Sequence, residues 1–343
     1  MEKETEVLYM ERKLATIQKI KSVDPIENAD AIEKVSVLGW QCVAKKGEFK
    51  PGDMCLYCEI DSIMPDKPEF EFLRPRKFRI KTIKLRGIIS QGITLPLSYL
   101  KYDQEIYEGL DVTEIMGVTK YEPYLPPNMN GEIWGEKPWF VPKTDEFRIQ
   151  SYPKIVEEFK DKEVYISTKV DGTSCSIYYN PDFERKFGVC SRNLEIKEDE
   201  TVAYWKVAHK YDLRDKLEQL NKPLVLQGEI TGPGIQKNRL GLKEIDIYIF
   251  DIWFINERRY ASMREMIDLC AQRGLKTVPI DTICRFNYNM EQLIEMAKGK
   301  YAGTQKNREG MVIRPISPLK STELQGRLSI KVLNNDYLLK DEE

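Results

Sequence analysis

The sequence predicts an α+β protein of two domains, a small β-barrel followed by a domain in which strands alternate with helices. Three observations carry this. From Glu6 to about Met116, short β-rich segments are punctuated by turn signals. Residues 117–142 are rich in Pro, Gly and aromatics, and beyond them the apolar pattern switches between strand and helix. At 343 residues, each domain is long enough to bury its own core.

The expected barrel strands run from Lys13 to Ile20, Ala31 to Val37, Gln41 to Ala44, Met54 to Ile60, Arg79 to Leu85 and Gly92 to Pro96. Turns are expected at Lys45-Lys46-Gly47 and Pro51-Gly52-Asp53. Among small barrels, the OB-fold is the usual one that joins this size to oligonucleotide binding. The domains are placed at 1–116 and 143–343. Between them, 117–142 reads as a packed connection, with Tyr124-Leu125-Pro126-Pro127-Asn128 and Trp134-Gly135-Glu136-Lys137-Pro138-Trp139 as its marks. In the second domain, strands are expected from Val164 to Ser167, Cys175 to Tyr179, Leu224 to Gly228, Ile245 to Asp251 and Met311 to Arg314. One helix is expected from Ser151 and Pro153 through Lys160, and another from Glu257 to Arg273, stopped by Gly274.

Composition excludes several classes of function. With 10% aromatic and 31% charged residues the chain reads as soluble and globular. No run approaches the eighteen or so apolar residues of a membrane span, and the opening Met1-Glu2-Lys3-Glu4 lacks a signal-peptide core, so an intracellular location is expected, in the cytoplasm or another compartment. Seven cysteines, an odd number, argue against a disulfide framework. The lone pair Cys55 and Cys58 has no second pair at zinc-ligand spacing and reads as two buried thiols. The single histidine, His209, lies in the helical-looking run from Thr201 to Leu220 and leaves little room for His-dependent catalysis. The net charge of −2 hides Arg74, Arg76, Lys77, Arg79, Lys81, Lys84 and Arg86, which fall within thirteen consecutive positions. With Phe78, Ile80, Ile83 and Leu85 interleaved, they are expected on an ordered sheet that follows a nucleic-acid backbone.

The chemistry lies in the second domain. Thr168-Lys169-Val170-Asp171-Gly172-Thr173 is followed by Ser191-Arg192-Asn193, Gln227-Gly228-Glu229, Phe250-Asp251-Ile252, the run Glu309 to Pro315, and Ser329-Ile330-Lys331-Val332. These fall on strands or the turns after them, where side chains can be held toward a common cleft. A lysine can attack the α-phosphate of a nucleoside triphosphate and expel pyrophosphate, given in-line geometry, a divalent cation and basic groups around the phosphates. To be nucleophilic it needs desolvation or nearby positive charge to lower its pKa. Asp171, Glu229 and Glu309 are hard oxygen donors suited to Mg²⁺, often through water. Lys331 and Arg148 can neutralise phosphate, and Phe250 offers a flat face to a purine. Singly, each residue also has a plain structural reading as a turn, strand-end, core or surface residue.

Their conjunction resembles the covalent nucleotidyltransferase superfamily of ATP-dependent ligases and mRNA capping enzymes. Lys143 to Gln150 is similar to the segment that RNA ligases carry before the lysine motif. Leu38 to Ala44 and Lys81 to Gly92 resemble the N-terminal OB domain of the Naegleria- and Deinococcus-type RNA ligases. The resemblance covers nearly the whole chain. It implies an OB barrel followed by an ATP-grasp-like nucleotidyltransferase domain built on antiparallel sheets with flanking helices. It implies ATP and Mg²⁺ or Mn²⁺ as cofactors, and as substrate an RNA with 3′-OH and 5′-phosphate ends, sealed at duplex nicks through lysyl-AMP and RNA-adenylate. Lys169 would be the nucleophile and Asp171, Glu229 and Glu309 would bind water around the metal. Phe250 would stack on adenine, Lys331 would contact the α-phosphate, and Thr168, Arg148 and Arg192 would line the nucleotide site. One departure stands out: classical polynucleotide ligases carry Lys-x-Lys where this chain has Ser329-Ile330-Lys331, so Lys331 acts alone or with Lys320 or Lys340.

Two readings compete with the RNA ligase. A capping guanylyltransferase or DNA ligase shares the chemistry, although capping enzymes usually carry their OB domain after the lysine domain. A non-catalytic OB-fold RNA-binding protein would leave the acidic set without a purpose. No membrane is implied, no pattern calls for a protein partner, and a monomer is compatible with this reading.

Overall fold

The computed structural model describes residues 12–101, 103–122, 129 and 131–340, without the side chain of residue 340. The described residues fall into two compact units. One contains those of 12–122, Ile149–Pro153 and 338–340; the other contains 129, 131–148 and Lys154–Tyr337. The opening residues and the expected Pro-rich run 124–128 lie outside the described residues.

In the first unit one long strand, Ala15–Pro25, serves two half-sheets. Its first half pairs antiparallel with Met54–Cys58, from Ala15↔Cys58 to Lys19↔Met54. Past a register shift between Ile20 and Ser22, its second half pairs with Ile32–Val37. Such a shift sharpens the local twist and lets a single strand turn the corner of a barrel. Trp40–Lys45 and Ile93–Leu95 complete a five-stranded sheet. Along the outer edge of Trp40–Lys45 lies the hairpin of Thr82–Leu85 and Ile88–Gln91. Gln41 Nε2 donates to the Ile89 carbonyl at 2.9 Å and the Val43 amide donates to Ser90 Oγ at 3.0 Å, which nearly closes the barrel. Ile17, Val35, Cys42 and Leu56 fill it. Cys55 and Cys58 are buried there, and burial pushes both thiols up to about 12.

The basic run does not lie on one sheet. Pro68 starts a 3₁₀ stretch, Pro68–Arg76, which ends at Lys77 in the left-handed region (φ 51°), so that the strand begins only at Thr82. Arg74 bonds Asp66 and Glu71, whereas Arg79 pairs with Asp61 at 2.9 Å and stacks on Tyr121. Arg76, Lys77, Lys84 and Arg86 are exposed, and Lys81 is half-buried.

The second unit holds a seven-stranded and a five-stranded sheet, antiparallel except for one short pair. In order, the larger contains Ile133–Glu136, Leu194–Ile196, Phe187–Cys190, Thr173–Tyr179, Leu224–Thr231, Asp246–Phe254 and Arg259–Tyr260. Its apolar face is covered by the helices Ala203–Lys210, Leu213–Glu218 and Met263–Arg273, which supply Trp205, Leu217 and Met266 to the core. The expected single helix from Thr201 to Leu220 is broken at Asp212, whose φ is 49°. His209 sits on the first helix, half-exposed, with Nε2 2.9 Å from Glu198. The expected helix from Glu257 begins only at Met263, where Ser262 and Glu265 form a capping box. Ser151 caps no helix: its hydroxyl donates to Glu59 at 2.5 Å, and the helix Ile155–Phe159 starts later. Among the described residues no helix is long and apolar enough to cross a membrane.

Candidate active site

The smaller sheet runs Phe147–Arg148, Ile330–Leu333, Gly310–Pro315, Glu163–Lys169 and Ile280–Arg285. Its register sorts the side chains. Tyr165↔Arg314, Ser167↔Val312 and Lys169↔Gly310 face each other, as do Val312↔Lys331 and Arg148↔Lys331. Opposed residues share a face, so Lys169, Arg314, Lys331 and Arg148 all project to one side. Thr168 projects to the other, where its hydroxyl donates to Asp281 at 2.9 Å.

Lys169 ends its strand, and Val170-Asp171-Gly172 carries the chain directly into the seven-stranded sheet at Thr173. The turn therefore joins two sheets. Gly172 is required by proximity, because a Cβ there would lie 2.1 Å from the Ile230 carbonyl oxygen. That close approach draws Asp171 toward Glu229, the neighbour of Ile230. Gly310 is equally constrained: its φ is 153°, and a Cβ would lie 2.2 Å from the Val332 carbonyl oxygen.

The three expected carboxylates gather around the lysine. Lys169 Nζ donates to Glu309 Oε2 at 2.8 Å, with the two side chains 21% and 17% exposed. Asp171 accepts from the Tyr337 hydroxyl at 3.0 Å and pairs with Arg239 Nε at 3.0 Å. Burial, reinforced by Glu309, lifts the Asp171 carboxyl to about 6. Burial lifts Glu229 to about 8, against the attraction of Lys169. For Lys169 itself, burial works to lower the pKa, but the charges of Glu309, Glu229 and Asp171 outweigh it and hold the amine protonated. Of the two influences a nucleophilic lysine needs, the site supplies desolvation, while the charges nearby are negative rather than positive. Glu309 raises both Asp171 and Glu229, and Asp171 raises Glu229 as well, a crowding of acidic groups that a divalent ion would relieve. Hard carboxylate oxygens such as these suit a divalent ion contacted through water; among the described residues no group of three acidic, His or Cys side chains is arranged to hold a metal directly.

Phe250 is the extra residue of a β-bulge, between the pairs Gln227↔Asp251 and Gly228↔Ile249. Bulges re-aim side chains and free backbone groups. Here the freed Phe250 carbonyl accepts from Arg314 Nη1 at 2.6 Å. The same guanidinium donates to Glu146 Oε1 at 2.6 Å and to Ser329 Oγ at 2.9 Å. Phe250, Arg314, Ser329, Asp251, Arg327 and Lys143 help line a cavity of about 470 Å³, open mouth included. Asp145, also in its lining, pairs with half-buried Arg192. Ser329, at the place of the missing second lysine, is Arg314's partner, and Lys320 lies exposed in a small hairpin with Arg327 opposite.

Sequence reasoning missed Arg239, Tyr301, Arg314 and Tyr337. Only Arg314 had a usable signal, since alternation from Gly310 places it on the lysine's face.

The arrangement finds its counterpart among known proteins. A sequence model described as RNA ligase matches residues 162–333, and one described as an OB-fold domain matches residues 14–97. The solved structure of a ligand-free variant of Naegleria gruberi RNA ligase is 38% identical, with a TM-score of 0.87 over 96% of this chain and 98% of that one. The chain belongs to the RNA ligase family. Two further structures of the Naegleria gruberi ligase bear on the same ligase fold. One, with PPi, is 39% identical over 97% of this chain and 99% of its own, with a TM-score of 0.87. The other, a variant with ATP and Mn, is 38% identical over 96% and 99%, with a TM-score of 0.86. No curated protein sequence gives a match. The fold class expected from the sequence, an OB barrel followed by a ligase domain of antiparallel sheets and helices, is borne out.

Proposed function

We propose that this RNA ligase uses ATP and a divalent metal to join 3′-OH and 5′-phosphate RNA ends at breaks held in a duplex, with Lys169 as the nucleophile. The observation that carries this is the Lys169 amine at the end of its strand, 2.8 Å from Glu309 and inside the carboxylate set of Asp171, Glu229 and Glu309. The complexes of Naegleria ligase variants with ATP and Mn and with AMP and Mn support the cofactors.

Glu309 orients the amine, and the carboxylates fit a divalent ion, Mg²⁺ or Mn²⁺, that would neutralise charge on the triphosphate. Because its surroundings hold Lys169 protonated, Nζ first releases one proton to solvent; it then bonds the α-phosphorus as the bond to the pyrophosphate oxygen breaks, and a second proton leaves the nitrogen for the departing pyrophosphate. Arg148 and Lys331, on the lysine's face of the sheet, offset charge on the phosphates. Phe250 offers its ring to adenine, and Arg192 lies at the cavity's side beside Asp145. The RNA 5′-phosphate then takes AMP from the lysine, and the 3′-OH displaces AMP to close the phosphodiester. The exposed cations Arg76, Lys77, Lys84 and Arg86, with Lys81, suit the RNA backbone. The expected division into 1–116, 117–142 and 143–343 remains our proposal for the functional domains.

Incubation with [α-³²P]ATP and Mg²⁺ tests the reading. The wild-type protein should acquire covalent label, Lys169→Ala should not, and the wild type should seal a nicked RNA duplex. A wild type that takes no label from ATP overturns it, and a protein that shifts the duplex without sealing it supports the binding-protein alternative.

A further inference from the structure

Beyond the last pair of the lysine strand, Lys169↔Gly310, the chain must still hold Lys169 beside Glu309, which stands outside the ladder. One side chain spans this gap. The Tyr301 hydroxyl donates to the Lys169 carbonyl at 2.8 Å and accepts from the Glu309 amide at 3.1 Å. A phenol has one proton to give and lone pairs to receive, so both bonds coexist. Tyr301 as a whole is 5% exposed. Behind the sheet a second link joins the residues just before these two: Asp281 accepts from Thr168 Oγ1 at 2.9 Å and pairs with Arg308 Nη1 at 2.8 Å. Arg308 is fastened in turn to the carbonyls of Ala297 and Met296.

We infer that Tyr301 is a positioning residue for lysine adenylylation, its hydroxyl fixing the backbone of Lys169 against that of Glu309 so that amine and carboxylate meet in reactive register. The inference rests on the function proposed above. Tyr301 reaches neither nucleotide nor amine in this scheme and acts through the two backbones it bridges. The lysine side chain is long and flexible, and its in-line approach to phosphorus depends on where its Cα is anchored. An ångström of misplacement is enough to cost about a hundredfold in rate.

Tyr301→Phe removes both bonds and keeps the ring. In single-turnover labelling with [α-³²P]ATP, the maximal rate of lysyl-AMP formation should fall about tenfold or more, while the ATP concentration for half-maximal rate stays within about threefold. Asp281→Ala, which cuts the rear link, should lower the same rate without changing the ATP requirement. Unchanged maximal rates in Tyr301→Phe overturn the inference, as does a loss confined to the ATP requirement. A thermal midpoint measured on each variant identifies loss through unfolding, and if Tyr301→Phe does not fold, Tyr301→Met, which also lacks the hydroxyl, takes its place: an unaltered maximal rate there overturns the inference. Should the wild type itself take no label, the functional reading fails; a wild type that labels beside an equally fast Tyr301→Phe refutes only the role of Tyr301.

Discussion

Replacing Arg314 with Leu should destabilise the second unit more than any single change at the lysine. The guanidinium is 3% exposed, and it donates to the Glu146 carboxylate, the Ser329 hydroxyl and the Phe250 carbonyl. Leucine removes all three bonds and leaves the Glu146 carboxylate, 16% exposed, without this partner. Breaking a buried pair from one side costs about 3–5 kcal/mol, because the remaining charge stays desolvated. For a unit of this size, each kcal/mol moves the midpoint by about 2–4 °C, so scanning calorimetry should show its transition lowered by roughly 10 °C. Arg314→Lys keeps the charge but not the planar fork, and should fall between the two. The double variant Arg314→Leu, Glu146→Leu should recover part of the loss, since Glu146 is no longer stranded and Asp251, which also pairs with Arg314 at 3.8 Å, keeps Arg327. A single-variant loss below about 1 kcal/mol, or a double variant worse than the sum of its parts, would refute the reasoning that an interlocked charge pair supports the bulge at Phe250.

Gly310→Ala should cost at least about 1–3 kcal/mol and depress labelling of Lys169, because its Cβ would collide with the Val332 carbonyl in a backbone conformation that alanine disfavours; a fully stable, active variant would show that the strand shifts freely. Replacing Arg76, Lys77, Lys84 and Arg86 together with Ala should weaken RNA binding and flatten its salt dependence by roughly 0.7–0.9 in the log–log slope for each phosphate that these side chains neutralise. Filter binding from low to moderate salt reads this directly, and an unchanged slope would exclude these exposed side chains from the RNA path.

The motifs are legible because each concentrates an unusual function in a few adjacent letters: a lysine before an Asp-Gly turn, glutamates beside glycines, a phenylalanine in a strand. What escapes a linear reading is the support between them. Tyr301 lies in a loop before Glu309, and nothing local distinguishes it from other buried tyrosines until Lys169 and Glu309 are brought to either side of its hydroxyl. Arg239 and Tyr337 meet at Asp171 from distant parts of the chain. Adjacency to Lys169 groups Thr168 with the site, yet strand alternation turns its hydroxyl to the opposite face. Interleaved apolar residues suggest a strand for the basic run. The prolines at 68 and 75 favour a different path through most of it, and acidic neighbours outside the run pair with Arg74 and Arg79.

Lys169 and Glu309 are separated by 140 positions along the chain. During synthesis the amine therefore leaves the ribosome long before its carboxylate partner exists, and the strand that carries it has no Gly310 to pair with. A nascent or prematurely terminated chain ending before that point lacks the carboxylate that holds the amine, and it also lacks Leu338, which packs against the core of the barrel, so both units wait on residues from position 309 onward.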